Sequence, residues 1–294
     1  MLCLYRERLV LIVSIIFLFL CLLAMAVNQL VYQFPGNHYM LPDIITAIFT
    51  CFMASKGLKI YFTEEVWGSF FLREFGLGIL LFSLVLWGSE SIQQTPFTPI
   101  DNALIKFDKL LNVRVNDYVA SLEYHPYVKK ILDFFYNSVS CELILVPSLL
   151  MIFRRYVFIY EYYSLVFLTA IIGYSIYYFF PTIAPASSIG GLGFTQEQYA
   201  TGIKFNEIHH YISPSTKDGG LISFPSFHAI WALLLVYSVR CWTYFCSALL
   251  IFNSMIIIAC VILGWHYMVD ILGSIAVILL SIWFNHILVK KEFM

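Results

Sequence analysis

Ser223-Phe224-Pro225-Ser226-Phe227-His228-Ala229 follows a polar loop ending in Gly219-Gly220 and opens an apolar run that continues to Val239. A proline near the first helical position, with a serine beside it, predicts a helix start. The unpaired N–H groups of such a start, with the positive end of the helix dipole, form a seat for an anion. His228 falls in that first turn. A second histidine opens the last apolar segment, in Gly264-Trp265-His266-Tyr267-Met268-Val269-Asp270. His266 and Asp270 are four apart, so a helix over this stretch would place them on one face. The carboxylate would then hold one imidazole nitrogen as a donor and leave the other free to attack. Two histidines, a carboxylate and an anion seat point to chemistry on phosphate.

The rest of the chain says where that chemistry happens. Of 294 residues, 61% are hydrophobic and 12% charged. That composition belongs to a polytopic membrane protein, an all-α bundle of transmembrane helices. A net charge of −1 without a basic stripe argues against nucleic acid as a partner. The seven cysteines show no CxxC pair or metal spacing, and most lie in apolar runs. They read as small buried hydrophobes, and neither a metal nor a cofactor is expected.

Eight apolar runs are expected to span: Leu9–Val31, Tyr39–Ala54, Phe70–Ser91, Phe135–Phe153, Val157–Phe180, Ser223–Val239, Tyr244–Leu263 and Trp265–Val289. The first is too long for an ordinary signal peptide and reads as an uncleaved helix. Between the third and fourth, Thr95-Pro96-Phe97-Thr98-Pro99 breaks the chain. Ile100, Leu104, Phe107 and Leu111 then recur at helical spacing among charges, which predicts an amphipathic helix lying in the interface. Asp108 and Lys109 read as part of its solvated face. The expected division is three N-terminal helices (1–92), an extracytoplasmic collar (93–134) and a membrane core (135–294). Pro181–Ile222 reads as a long loop. Counting lysines and arginines puts both termini in the cytoplasm. His228, His266, the collar and the long loop then share the outer face of a multi-pass protein of the cell membrane, the inner one in a bacterium.

These motifs resemble the phosphatidic-acid phosphatase type 2 superfamily. Its second signature, Pro-Ser-x-His, matches Pro225-Ser226-Phe227-His228, and its third, His-x-x-x-Asp, matches His266 to Asp270. The resemblance implies His266 as phosphate nucleophile, Asp270 as its orienting partner and His228 as the acid that protonates the leaving group. Pro225, Ser226 and Phe227 would then lie against the phosphate. A closer likeness is to the branch containing inositol phosphorylceramide synthase. It rests on Phe180-Pro181-Thr182-Ile183-Ala184-Pro185, on Gly220 to His228, on Trp265 to Asp270, and on the Leu110–Tyr136 region. The superfamily's first signature, a lysine with a later Arg-Pro, is absent. Cys260 stands where the third signature normally has an arginine. Lys204 and Lys217, in the long loop, are the candidates to supply the missing phosphate-binding charge.

The expected function is a membrane lipid phosphotransferase or phosphatase that works through a phosphohistidine. Its partners would be membrane lipids, with a lipid alcohol or water as acceptor; the oligomeric state is not legible. Hydrolysis of a lipid phosphate such as phosphatidate or polyprenyl diphosphate is the alternative. A transporter relaying protons, or a scaffold, is the alternative of another class, but no internal repeat is visible and the polar groups gather at one face.

Overall fold

The computed structural model describes residues 2–35, 42–61, 67–216 and 222–290. Lys217 and the Gly219-Gly220 pair lie outside the described residues. Every regular element among the described residues is helical. The elements are α1 (Leu2–Ala26, continued by a π-turn over Val27–Val31), α2 (Pro42–Tyr61), α3 (Trp67–Gln93), α4 (Asp101–Leu110), α5 (Val115–Leu122) and α6 (Pro126–Ile152). They continue with α7 (Tyr156–Phe179), α8 (Ala184–Ser188), α9 (Gln196–His209), α10 (Phe227–Ser238), α11 (Thr243–Ile262) and α12 (Met268–Lys290).

Six of these, α1, α3, α6, α7, α11 and α12, are long and apolar enough to cross a membrane. The protein is therefore a multi-pass membrane protein. The expected count was eight. Of the other two runs, the sixth is helical only from Phe227, which leaves α10 as an apolar helix of 12 residues. The second became α2, which carries Asp43, Lys56 and Lys59 and is not among the six. The fourth helix begins at Pro126, nine residues before its apolar run, because Pro126 occupies the first turn where its missing N–H costs nothing. The stretch read as one long loop holds α8 and α9.

The bundle is arranged around α7. From Ile159 to Tyr177 it is buried on almost every side, as an apolar-all-round helix should be. Its two hydroxyl residues in the middle, Ser164 and Thr169, donate to their own helix carbonyls at Tyr160 and Leu165. In a bilayer, packing and polar contacts between helices replace the hydrophobic effect as the organising force. Both are visible here. Near the start of α7, Glu161 binds Arg6 of α1 at 2.7 Å and Arg240, just past α10, at 2.6 Å. Near its end, Gly173 leaves room for Phe227: a Cβ there would sit 2.9 Å from the ring and 3.3 Å from Pro225. So α7 and α10 run antiparallel, with Arg240 at one end and His228 at the other.

Candidate active site

The turn carrying His266 is made by the end of α11. Gly264 has φ +82°, and a Cβ on it would lie 2.5 Å from Val119 and 2.6 Å from Phe194. Conformation and space both require glycine there. Past it, the N–H groups of Trp265 and His266 both donate to the Cys260 carbonyl, at 3.1 and 3.0 Å, and fold the chain back over the helix end.

α12 starts only at Met268, so His266 lies ahead of the helix and the shared-face argument does not apply. The two side chains meet by a different route. Asp270, in the first turn, reaches back so that Oδ2 accepts the Tyr267 N–H at 2.9 Å and the Ser223 hydroxyl at 3.3 Å. The same oxygen lies 3.3 Å from His266 Nδ1, and the Ser223 carbonyl lies 2.9 Å from it. Two acceptors at Nδ1 assign the proton to that nitrogen and leave Nε2 with the lone pair. Burial pushes His266 down to about 4, against the Ser223 carbonyl, which favours the charged form. At neutral pH the ring is uncharged and Nε2 is nucleophilic.

His228 is the second residue of α10. Ser226 caps that helix, its hydroxyl oxygen accepting the Ala229 N–H at 3.3 Å. The His228 ring stacks on Tyr136 of α6, centroids 4.2 Å apart and 14° from parallel. Tyr136 stacks in turn on Trp265, at 5.2 Å and 8°. This three-ring column fixes the plane of His228. Its centroid is 6.2 Å from that of His266. The two histidines line a cavity of about 160 Å³ together with Tyr136, Trp265, Phe227 and Thr201. Of the other motif residues, Pro225 packs towards Gly173 and Ser226 is wholly buried at the cap.

A feature missed from sequence is the hold that α4 has on this turn. Asp108 is 3% exposed, not solvated. Its two oxygens accept the N–H groups of Met268 and Val269 at 2.9 and 3.0 Å, which caps α12 from outside. Asp101 accepts the Tyr267 hydroxyl at 3.0 Å and the Ile183 N–H at 3.0 Å. Burial raises both carboxyls above the ordinary range, opposed in each case by these donors. The inward face of α4 is Asp101, Leu104 and Asp108; Phe107, Leu110 and Leu111 point away and stay exposed. Of the face expected to be solvated, Asp108 is buried and Lys109 is exposed. The recoverable signal was two aspartates seven apart, flanking Leu104 on one side of the helix.

Lys204 lies on α9, which Thr195 and Gln198 begin with a reciprocal capping box. It is 3% exposed and lies one helical turn beyond Thr201; Thr201 lines the cavity, and Lys204 is not among the lining residues. His209 is spent on structure: Nδ1 faces the Phe205 carbonyl at 2.7 Å and Nε2 the Thr95 carbonyl at 2.9 Å, tying α9 to the end of α3. No group of metal-binding side chains occurs among the described residues.

The chain is thus a multi-pass helical membrane protein in which two histidines line one cavity and a buried aspartate, Asp270, holds one of them. The family model of the PAP2 superfamily matches residues 102–284, more than half of the chain, and the protein belongs to that superfamily. The match runs from α4 into α12 and contains His228, His266, Asp108 and Asp270; Asp101 lies one residue before it. No curated protein and no solved structure matches the chain.

Proposed function

We propose that the protein is a lipid phosphotransferase or phosphatase acting through a phosphohistidine at His266. The observation that carries this reading is the pair of acceptors on His266 Nδ1, with His228 across the cavity. In the first half-reaction, the Nε2 lone pair attacks phosphorus and forms an N–P bond. The bond from phosphorus to the leaving oxygen breaks, and His228 gives that oxygen its proton. In the second, His228 takes the proton of an acceptor hydroxyl or of water. That oxygen attacks phosphorus, and the N–P bond returns its electron pair to Nε2. The arriving phosphate supplies the negative charge that favours a protonated His228 at the start. The cycle closes without an added metal or nucleotide.

The charge inventory favours a phosphodiester donor. A phosphate monoester carries nearly two negative charges near neutral pH, with a second pKa of about 6, and clamps on such groups use several fixed cations. This chain has neither the Lys and Arg of the usual first signature nor the arginine that Cys260 replaces. A diester carries one charge, suited to the N–H groups opening α10, His228, and Lys204 or Lys217. Transfer of a phosphorylated head group to a lipid alcohol, as in the inositol phosphorylceramide synthase-like branch, follows from that inventory. Hydrolysis of a lipid phosphate is the second reading, favoured by family membership alone.

The eight-span arrangement belongs to the same reading, with α2 and α10 completing it. So does the division into residues 1–92, an interfacial collar over 93–134 and a core over 135–294, the collar tied to the core through Asp101 and Asp108. Arg6, Arg73, Arg154, Arg155 and Arg240 gather towards the Glu161 end, which supports a cytoplasmic placement of that end and an outer placement of the site. Cysteines placed at Ser188 and Lys291 and labelled from one side would test this; labelling of both from the same side refutes it. For the chemistry, purified protein is offered phosphatidate, polyprenyl diphosphate and phosphatidylinositol or phosphatidylglycerol, with and without ceramide or diacylglycerol. Head-group transfer from a diester, abolished by His266→Ala, is expected. Release of free phosphate from a monoester alone would reject the diester assignment, and normal turnover by His266→Ala would reject the site.

A further inference from the structure

The catalytic cavity shares a wall with a second, larger cavity. A cleft of about 340 Å³ lies between α1, α7 and the end of α3, and Tyr174 lines both spaces. Its floor is buried and apolar: Phe17, Cys21 and Tyr174. Its rim is exposed and apolar: Leu20, Leu23 and Phe179. The volume falls at the lower end of the range for small-molecule sites, about 300–1,000 Å³. The Tyr174 hydroxyl is committed to the Val85 carbonyl at 2.8 Å, so the tyrosine presents only its ring. That ring lies 5.0 Å from the ring of Phe227, the residue before His228. The cleft therefore stands beside the catalytic helix start and opens outward, where a membrane protein meets lipid. α1 lies outside the residues that match the family.

We propose that this cleft seats a hydrocarbon chain of the lipid whose head group occupies the catalytic cavity, with Tyr174 as the partition between chain and head group. The proposal rests on the lipid phosphotransfer reading and assigns α1 a part in it. A chain is the occupant because the floor offers no free polar group, the rim faces the bilayer, and the head-group site is one ring away. Chain length then enters specificity through packing along the cleft, because the surrounding bilayer is as apolar as the cleft and transfer from water contributes nothing.

Two measurements on the full chain in phosphatidylcholine nanodiscs test this. In the first, phosphatidylglycerol with a diazirine at the end of one acyl chain is photolysed and the labelled peptides are mapped. Label concentrated in Phe17–Val27 and Ile171–Phe179, competed by plain phosphatidylglycerol and reduced by Ala24→Trp, is expected. Label spread evenly over the outward-facing helices, or label indifferent to Ala24→Trp, would overturn the proposal. In the second, dipalmitoyl and dihexanoyl forms of whichever phospholipid the protein turns over are compared. Ala24→Trp should raise KM for the long form by about fivefold or more, as the indole displaces packing contacts along the chain, and leave the short form within about twofold. Equal effects on both forms would count against the cleft. If the native protein turns over no phospholipid, the phosphotransfer reading fails, and the photolabelling still decides the cleft.

Discussion

Asp108 of α4 accepts the backbone N–H of Met268, the first residue of α12, at 2.9 Å. α4 thereby holds the turn in which His266 is presented. The neighbouring N–H of Val269 binds the other oxygen at 3.0 Å, so both lone-pair acceptors are in use and the ionised carboxylate is the fitting form.

The first prediction follows from that pair. In Asp108→Asn one acceptor becomes an NH₂ donor facing a backbone N–H. The turn should loosen, and kcat should fall by roughly 10- to 100-fold at neutral pH, since a small misplacement of reacting groups can cost about 100-fold. KM should change little, because Asp108 does not line the cavity. The native enzyme should also lose kcat as pH falls, starting above the ordinary carboxylate value of about 4, because burial raises Asp108 and Asp101. Stability should move the other way. A carboxyl whose folded pKa is raised disfavours the fold when ionised, so resistance to unfolding should hold or rise over the same window. In Asp108→Asn the acid dependence of kcat should flatten. An unchanged profile and unchanged kcat would remove α4 from the catalytic apparatus.

The Tyr136 stack gives a second prediction. Tyr136→Phe keeps the ring column between His228 and Trp265 and should retain activity within about threefold, as aromatic pairing is worth only about 0.5–1.5 kcal/mol. Tyr136→Leu releases the His228 ring and should lower kcat by about 10-fold or more, towards the contribution of a general acid. Equal activity in the two variants would mean that the stack is packing alone.

The far end of the bundle should behave differently. Glu161→Gln leaves Arg6, whose side chain is 13% exposed, without its carboxylate; Arg240 is about a third exposed and suffers less. A loss of roughly 3 kcal/mol is expected, at the low end of the range for breaking a buried pair. It should appear as a lower unfolding temperature in detergent, with kcat per folded molecule unchanged. A large drop in kcat in fully folded protein would imply coupling between the two ends that the geometry does not contain.

How much of this was legible in the sequence depends on the kind of signal. Ser226 as a helix start was readable because the capping residue and the apolar run adjoin each other in the chain. The meeting of His266 with Asp270 was also expected, but for a reason that does not hold. Helical spacing suggested it, whereas Gly264, the reaching back of Asp270 and the Ser223 carbonyl from another segment produce it. Contacts between remote segments leave no local pattern. Asp108 therefore looked like a solvated charge, and Tyr136 entered only through a resemblance. α9 announced itself in Thr195-x-x-Gln198, a capping box lost in a stretch otherwise read as loop. Six of the eight expected spans were legible from apolar length, but the starts of α6 and α12 were not, since Pro126 and Met268 are set by turn and cap chemistry.

The central claim, that His266 is the nucleophile, has a direct test. Native protein and His228→Ala protein are mixed with a head-group-labelled phospholipid, quenched in base within one turnover, digested, and read by mass spectrometry. The account predicts a phosphoryl-linked, acid-labile adduct on the peptide containing His266. It should form more slowly in His228→Ala, which lacks the acid of the first step, and it should be absent in His266→Ala. Turnover by the native protein with no adduct, or with the adduct on Ser226, would contradict it.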